Sequence, residues 1–98
     1  MEVEIKKSTA KGKKWTAIFY DKGKKVKTTH FGSKGMDDFT ITKNKDQKER
    51  YLNRHKKREN WDSYMTAGSL SRWILWNKET IKSSISDYLK RFKLKLKK

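Results

Sequence analysis

RWILW, residues 72–76, sets two tryptophans, an isoleucine and a leucine into a 98-residue chain that carries 27 Lys and Arg against 11 Asp and Glu. Left exposed, the stretch is a greasy patch on a basic tail; folded inward, it is the centre of a small core. Ser69, after Gly68, is a good N-cap, and Leu70, Trp73, Ile74 and Asn77 then fall at i, i+3, i+4 and i+7 of a short helix over about 69–77. Downstream, Ile81, Ile85, Tyr88, Leu89 and Phe92 form a full apolar stripe on a last helix over about 79–93, the clearest periodic signal in the chain. Two such stripes facing each other and a sheet would bury much of RWILW, at about 1.5–3 kcal/mol for each fully buried side chain. The segment is therefore expected to be core, with Trp76, off the stripe, partly exposed.

The first 42 residues read as β-structure. WTAIFY at 15–20 is β-branched and aromatic, DKGK at 21–24 is a turn, and KVKTTHF follows with Val26, Thr28 and His30 on one face, which is a hairpin signature. VEIK alternates Val3 and Ile5 with Glu2, Glu4 and Lys6, so it supplies a third antiparallel strand. After Gly32 and Gly35, Phe39 and Ile41 of DFTIT repeat the period of two and suggest a fourth. Asn44 with Gln47 then caps a helix over about 45–58, its first turn carrying Asp46 and Glu49; the apolar stripe of Tyr51, Leu52 and His55 is too thin for a central element. In KLKLKK the chain either extends the last helix or, with Leu94 and Leu96 two apart, pairs as an edge strand. The expected fold is a single α+β domain, a small antiparallel sheet of three to four strands packed by two or three helices: about 1–42 β-rich, 43–93 helical, 94–98 a basic tail.

The formal charge is +16 and the isoelectric point about 10.1. Low hydrophobicity with high charge marks disordered chains, but those are poor in aromatics, and this one has four each of Trp, Tyr and Phe. The excess is spread out: 11 basic against 5 acidic groups in 1–43, 7 against 4 in 44–62, 9 against 2 in 63–98. An anionic partner is implied, because self-repulsion at this charge is relieved by a bound polyanion. Without cysteine there is no disulfide, thiolate metal site or thiol nucleophile, and two histidines alone do not build a zinc site. No stretch approaches the roughly 20 apolar residues of a membrane helix, and no secretory leader is apparent, so a soluble intracellular protein is expected.

Four basic stretches are candidate polyanion contacts: a loop with Lys11, Lys13 and Lys14; a hairpin tip with Lys24 and Lys25; a helix face with Arg50, Arg54, Lys57 and Arg58; and the C-terminal run with Lys90 and Arg91, to which Arg72 of RWILW is added. The alternative for each is a solvated face that only confers solubility. Against nucleic acid such cations would bind phosphates with steep salt dependence, yet no helix-turn-helix, zinc-finger or RNP-type pattern is present. Phe19, Tyr20 and Phe31 could stack on bases, although strand aromatics more commonly fill a core. His30, His55, Asp37 and Asp38 are the only obvious titrating groups for catalysis, and they lack the partners of a metal-dependent nuclease. FGSKG lacks the spacing and the Lys-Ser/Thr of a phosphate-binding loop. No catalytic residue, metal, cofactor or small-molecule substrate is assigned.

From Phe31 onward the landmarks FGSKGMDDFT, ERYLNRHKKRENW and AGSLSRWILWNK stand in an order that resembles a family of short basic proteins of uncharacterised function encoded mainly by large nucleocytoplasmic double-stranded DNA viruses. Their pattern is FG..G..D[YF]T, Y..RH..RE.W and AG.LSR.ILW, and the resemblance spans about residues 15–77. Phe39 stands where many relatives have Tyr. The resemblance implies a non-enzymatic structural or packaging role, as a minor capsid or internal virion component whose partners are acidic viral proteins or nucleic acid. It places the protein in the virion and in the infected-cell cytoplasm or virus factory. A nucleic-acid-binding protein acting on viral DNA or RNA in the infected cell is the alternative.

Overall fold

The structure, a computed structural model, describes residues 1–97. Three antiparallel strands come first: β1 (Glu2–Lys7), β2 (Lys13–Asp21) and β3 (Lys24–Ser33). Lys22 and Gly23 both adopt positive φ between paired Asp21 and Lys24, the two-residue turn whose twist suits a hairpin. Val3 lies opposite Phe19, Ile5 opposite Ala17, Ala17 opposite Thr29 and Trp15 opposite Phe31, so the alternation puts these side chains on one face. Val3, Ala17, Phe19 and Phe31 are completely buried there beneath the helices. The reverse face carries Ile18, Tyr20, Thr28 and His30, with His30 Nδ1 2.7 Å from Thr16 Oγ1.

The helices are α1 (Phe39–Thr42), α2 (Lys45–His55), α3 (Ala67–Leu70), which runs on into a π-helical turn over Ser71–Leu75, and α4 (Ile81–Phe92). A fourth strand, β4 (Lys95–Leu96), pairs in parallel with β1, giving the order β3-β2-β1-β4 and a mixed sheet. The α+β architecture is the one expected, with two relocations. DFTIT is not a strand: Asp38 accepts from Thr40 N at 2.9 Å and caps one turn of helix, so its period of two is overridden by the cap. The extra strand comes instead from the basic tail, where Leu94 is buried and Lys97 N donates to Val3 O at 2.8 Å.

RWILW is core. Leu70, Ile74 and Tyr88 are fully buried, and Tyr88 of α4 donates its hydroxyl to Tyr64 O at 2.6 Å. The expectation for Trp76 was wrong: it is only 8% exposed, more deeply set than Trp73. The reason is the π turn, in which Trp76 N donates to Ser71 O, five residues back; the extra residue rotates Trp76 off its α-helical bearing and into the interior. The cap also moves, from Ser69 to Thr66, whose hydroxyl accepts from Ser69 N at 3.2 Å. Asn44 caps α2 as read, its side chain accepting from Gln47 N at 3.0 Å, and no residue of α2 is fully buried. That helix ends at His55, however, so Lys57 and Arg58 lie in the turn beyond it. No helix among the described residues is long and apolar enough to cross a membrane.

Candidate polyanion-binding groove

An open groove of about 780 Å³ lies where the end of β3, helix α2 and the start of α3 meet. Its β-side wall begins at Gly32, whose φ of +77° and close approach to Leu75 make any side chain costly: an added Cβ would lie 2.8 Å from Leu75 Cδ1. The chain then turns through Gly35 to Asp38. Lys14 reaches up from β2 and donates to Asp38 Oδ2 at 2.7 Å and to Met36 O at 2.5 Å. Asp38 also takes a hydrogen bond from Thr40 Oγ1, so this nearly buried carboxylate is both neutralised and saturated.

The opposite wall is α2. Its Tyr51 ring stacks on Trp76 at a centroid separation of 4.3 Å with planes 7° apart, and His55 stacks on the other face of Tyr51 at 4.2 Å and 24°. The three rings form a column along the groove wall, from buried Trp76 out to His55, whose side chain is 38% exposed. Burial, reinforced by the charge of Glu59, pushes the Tyr51 phenol up to about 12, so it stays neutral in the column. His55 Nδ1 lies 3.2 Å from Glu59 Oε1, which also accepts from Trp61 Nε1 at 3.4 Å. The Glu59 carboxylate rests directly on Gly68, and a Cβ there would collide with it.

Of the sequence candidates, the fold brings Lys13, Lys14, Arg54 and Arg58 together around this groove, from β2, α2 and the turn after it. Arg50, Lys57 and Lys90 are exposed outside it, Lys11 is exposed in the β1–β2 turn, and Lys24 and Lys25 lie at the hairpin tip at the far end of β2 and β3. Arg72 and Arg91 serve the scaffold. The Arg72 guanidinium sits 5.2 Å from the Trp61 ring centroid and 4.1 Å from that of Trp73, and Arg91 lies 3.8 Å from the Trp73 centroid, an alternating ladder of indole and guanidinium. Arg72 Nη1 also donates to Trp76 O at 3.0 Å, and Lys48 Nζ to Asn77 O at 2.6 Å, so cations close the carbonyl end of the π turn. Burial, then repulsion from Arg91, lowers the Arg72 pKa; burial, then Arg72 and other nearby cations, lowers that of Lys48. Asp87, held below the ordinary carboxylate range chiefly by the Asn77 amide it accepts from at 2.7 Å, lies 3.6 Å from Arg91.

Sequence reasoning did not assign Tyr51, His55, Glu59, Asp38 or Gly68 to a binding site. The signal was nonetheless there: FG..G..D supplies Phe31, Gly32, Gly35 and Asp38 to the groove, Y..RH..RE supplies Tyr51, Arg54, His55, Arg58 and Glu59, and AG.LSR.ILW supplies Ala67, Gly68, Ser71, Leu75 and Trp76. Among the described residues no group of three or more His, Asp or Glu side chains converges to hold a metal ion.

No curated protein and no solved structure matches this chain. A family of unknown function, DUF5754, matches residues 3–55, which run from β1 to the end of α2 and so include the β-side wall and the helical wall of the groove. With more than half its length matched, the chain belongs to the family of unknown function DUF5754.

Proposed function

We propose that this protein is a non-enzymatic, polyanion-binding structural or packaging component of a large DNA virus, a minor capsid or internal virion protein. One observation carries the binding part of this reading. The chain has 27 Lys and Arg, yet among the described residues only Lys14 and Arg91 lie within 4 Å of a carboxylate. Apart from Arg72 and Lys48, which serve the scaffold, most other cations among the described residues stand exposed on a body whose core is closed by aromatic rings, so they meet an acidic surface without ordering the whole chain first. The viral location rests on the three landmarks and their order.

A nucleic-acid-binding role in the infected cell is the second reading, and the groove favours it, because cations flanking a column of rings suit a strand that presents both phosphates and bases. Quantitative mass spectrometry of purified particles separates the two. A virion role requires the protein in particles at a reproducible copy number, released by raised salt. Its absence from particles, with recovery on nucleic acid from infected cells, supports the second reading and overturns the first.

A further inference from the structure

We propose that the groove seats an unpaired base of a single-stranded nucleic acid against the outer end of the Trp76–Tyr51–His55 column, with the flanking phosphates on Arg54 and Arg58. This rests on the polyanion-binding reading and names the ligand of the groove. Two features point to a base and not to charge alone, and a third admits the flanking phosphates. The column is already a stack at near-parallel spacing, and it stops at a half-exposed imidazole, the kind of ring on which splayed bases stack. The groove volume of about 780 Å³ falls in the roughly 300–1,000 Å³ range of ligand-sized clefts. Finally, the carboxylates that would repel phosphate are mostly occupied: Asp38 by Lys14 and Thr40, Glu59 by His55 and Trp61.

Asp37 is the exception. It lines the mouth, is exposed and has no ion-pair partner among the described residues, so phosphates are directed to the α2 side, where Arg54 and Arg58 stand. A duplex keeps its bases stacked and paired and offers none to His55. A single strand gives up little to do so, and stacking is tolerant of base identity. The groove therefore selects strandedness over sequence.

The test is fluorescence anisotropy with a labelled oligothymidylate, an abasic deoxyribose-phosphate oligomer of equal length, and polyglutamate of matched charge as competitor. The full chain is expected to bind the base-bearing strand about tenfold tighter than the abasic one. His55→Ala should erase that difference, while His55→Phe, which loses the Glu59 contact equally but keeps a ring, should preserve it. Arg54→Gln with Arg58→Gln should weaken both strands alike. Equal affinity for the two strands, loss of the preference in His55→Phe, or displacement by polyglutamate as effective as by oligothymidylate would each overturn the base site while leaving polyanion binding intact. Failure of every anion to bind would overturn both.

Discussion

Tyr51 of α2 and Trp76 at the end of the π turn lie face to face, 4.3 Å apart and 7° from parallel. This stack fastens a helix with no fully buried residue to the core. Removing the indole should be costly: Trp76→Ala is expected to lose about 3–5 kcal/mol in denaturant unfolding. A double-mutant cycle of Tyr51→Leu and Trp76→Leu should show a coupling of about 0.5–1.5 kcal/mol. Additivity within error would mean the rings touch without holding α2 in place.

Gly32 and Gly35 share a positive φ but differ in surroundings: Gly32 abuts Leu75 and Lys14, whereas Gly35 faces open space. Gly35→Ala should therefore cost only the left-handed backbone penalty, about 1–2 kcal/mol. Gly32→Ala should add an overpacking term of about 1–3 kcal/mol. Thermal unfolding of the two variants orders them; equal midpoints would contradict the close approach of β3 to the π turn.

The Lys14–Asp38 pair is nearly buried, with side-chain exposures of 15% and 3%. Asp38→Ala removes the cap of α1 and strands the Lys14 charge, so a loss of about 3 kcal/mol or more is expected. Asp38→Asn keeps the cap and should fall between wild type and Asp38→Ala. If both variants unfold like wild type, the pair does not organise this wall of the groove.

Burial raises the phenol pKa of Tyr51 from 10.0 to about 12, and that of Tyr88 also rises, again through burial. Each folded state thus favours the neutral phenol. The associated stability is intact below about pH 10, the unfolded value, and is lost as pH climbs through the folded values. Alkaline titration followed by phenolate absorbance and circular dichroism should show these two phenols ionising together with unfolding. Four phenols ionising near pH 10 in a still-folded chain would contradict the burial.

Asp37 offers a gain-of-binding test. Asp37→Asn removes an unpaired carboxylate from the mouth of the groove and should tighten oligothymidylate binding about two- to fivefold, within the range of exposed charge interactions. Weaker binding would mean that the strand does not pass that rim.

The fold was legible where pattern and local chemistry agree. The β2–β3 hairpin, the Asn44 cap and the α4 stripe are each written in consecutive residues. Misreadings arose where one local feature overrode another, as the Asp38 cap did to the alternation in DFTIT and the π turn did to the bearing of Trp76. The site was harder to see because its contacts span the chain: Lys14 meets Asp38 24 positions away, and Tyr51 meets Trp76 25 positions away. Most of the basic candidates stand exposed, but nothing in the sequence distinguished Arg54, on the groove, from Arg72, held between indoles.

Indoles turned inward hold a fixed scaffold on which the cations stand. Tryptophan emission with acrylamide quenching tests this most directly. Native protein should emit blue of the guanidinium-unfolded chain, with a strongly protected fraction from Trp76, and shift red in one cooperative transition. Emission identical in native buffer and in denaturant, with all four indoles freely quenched, would leave a pliable polycation with no groove at all.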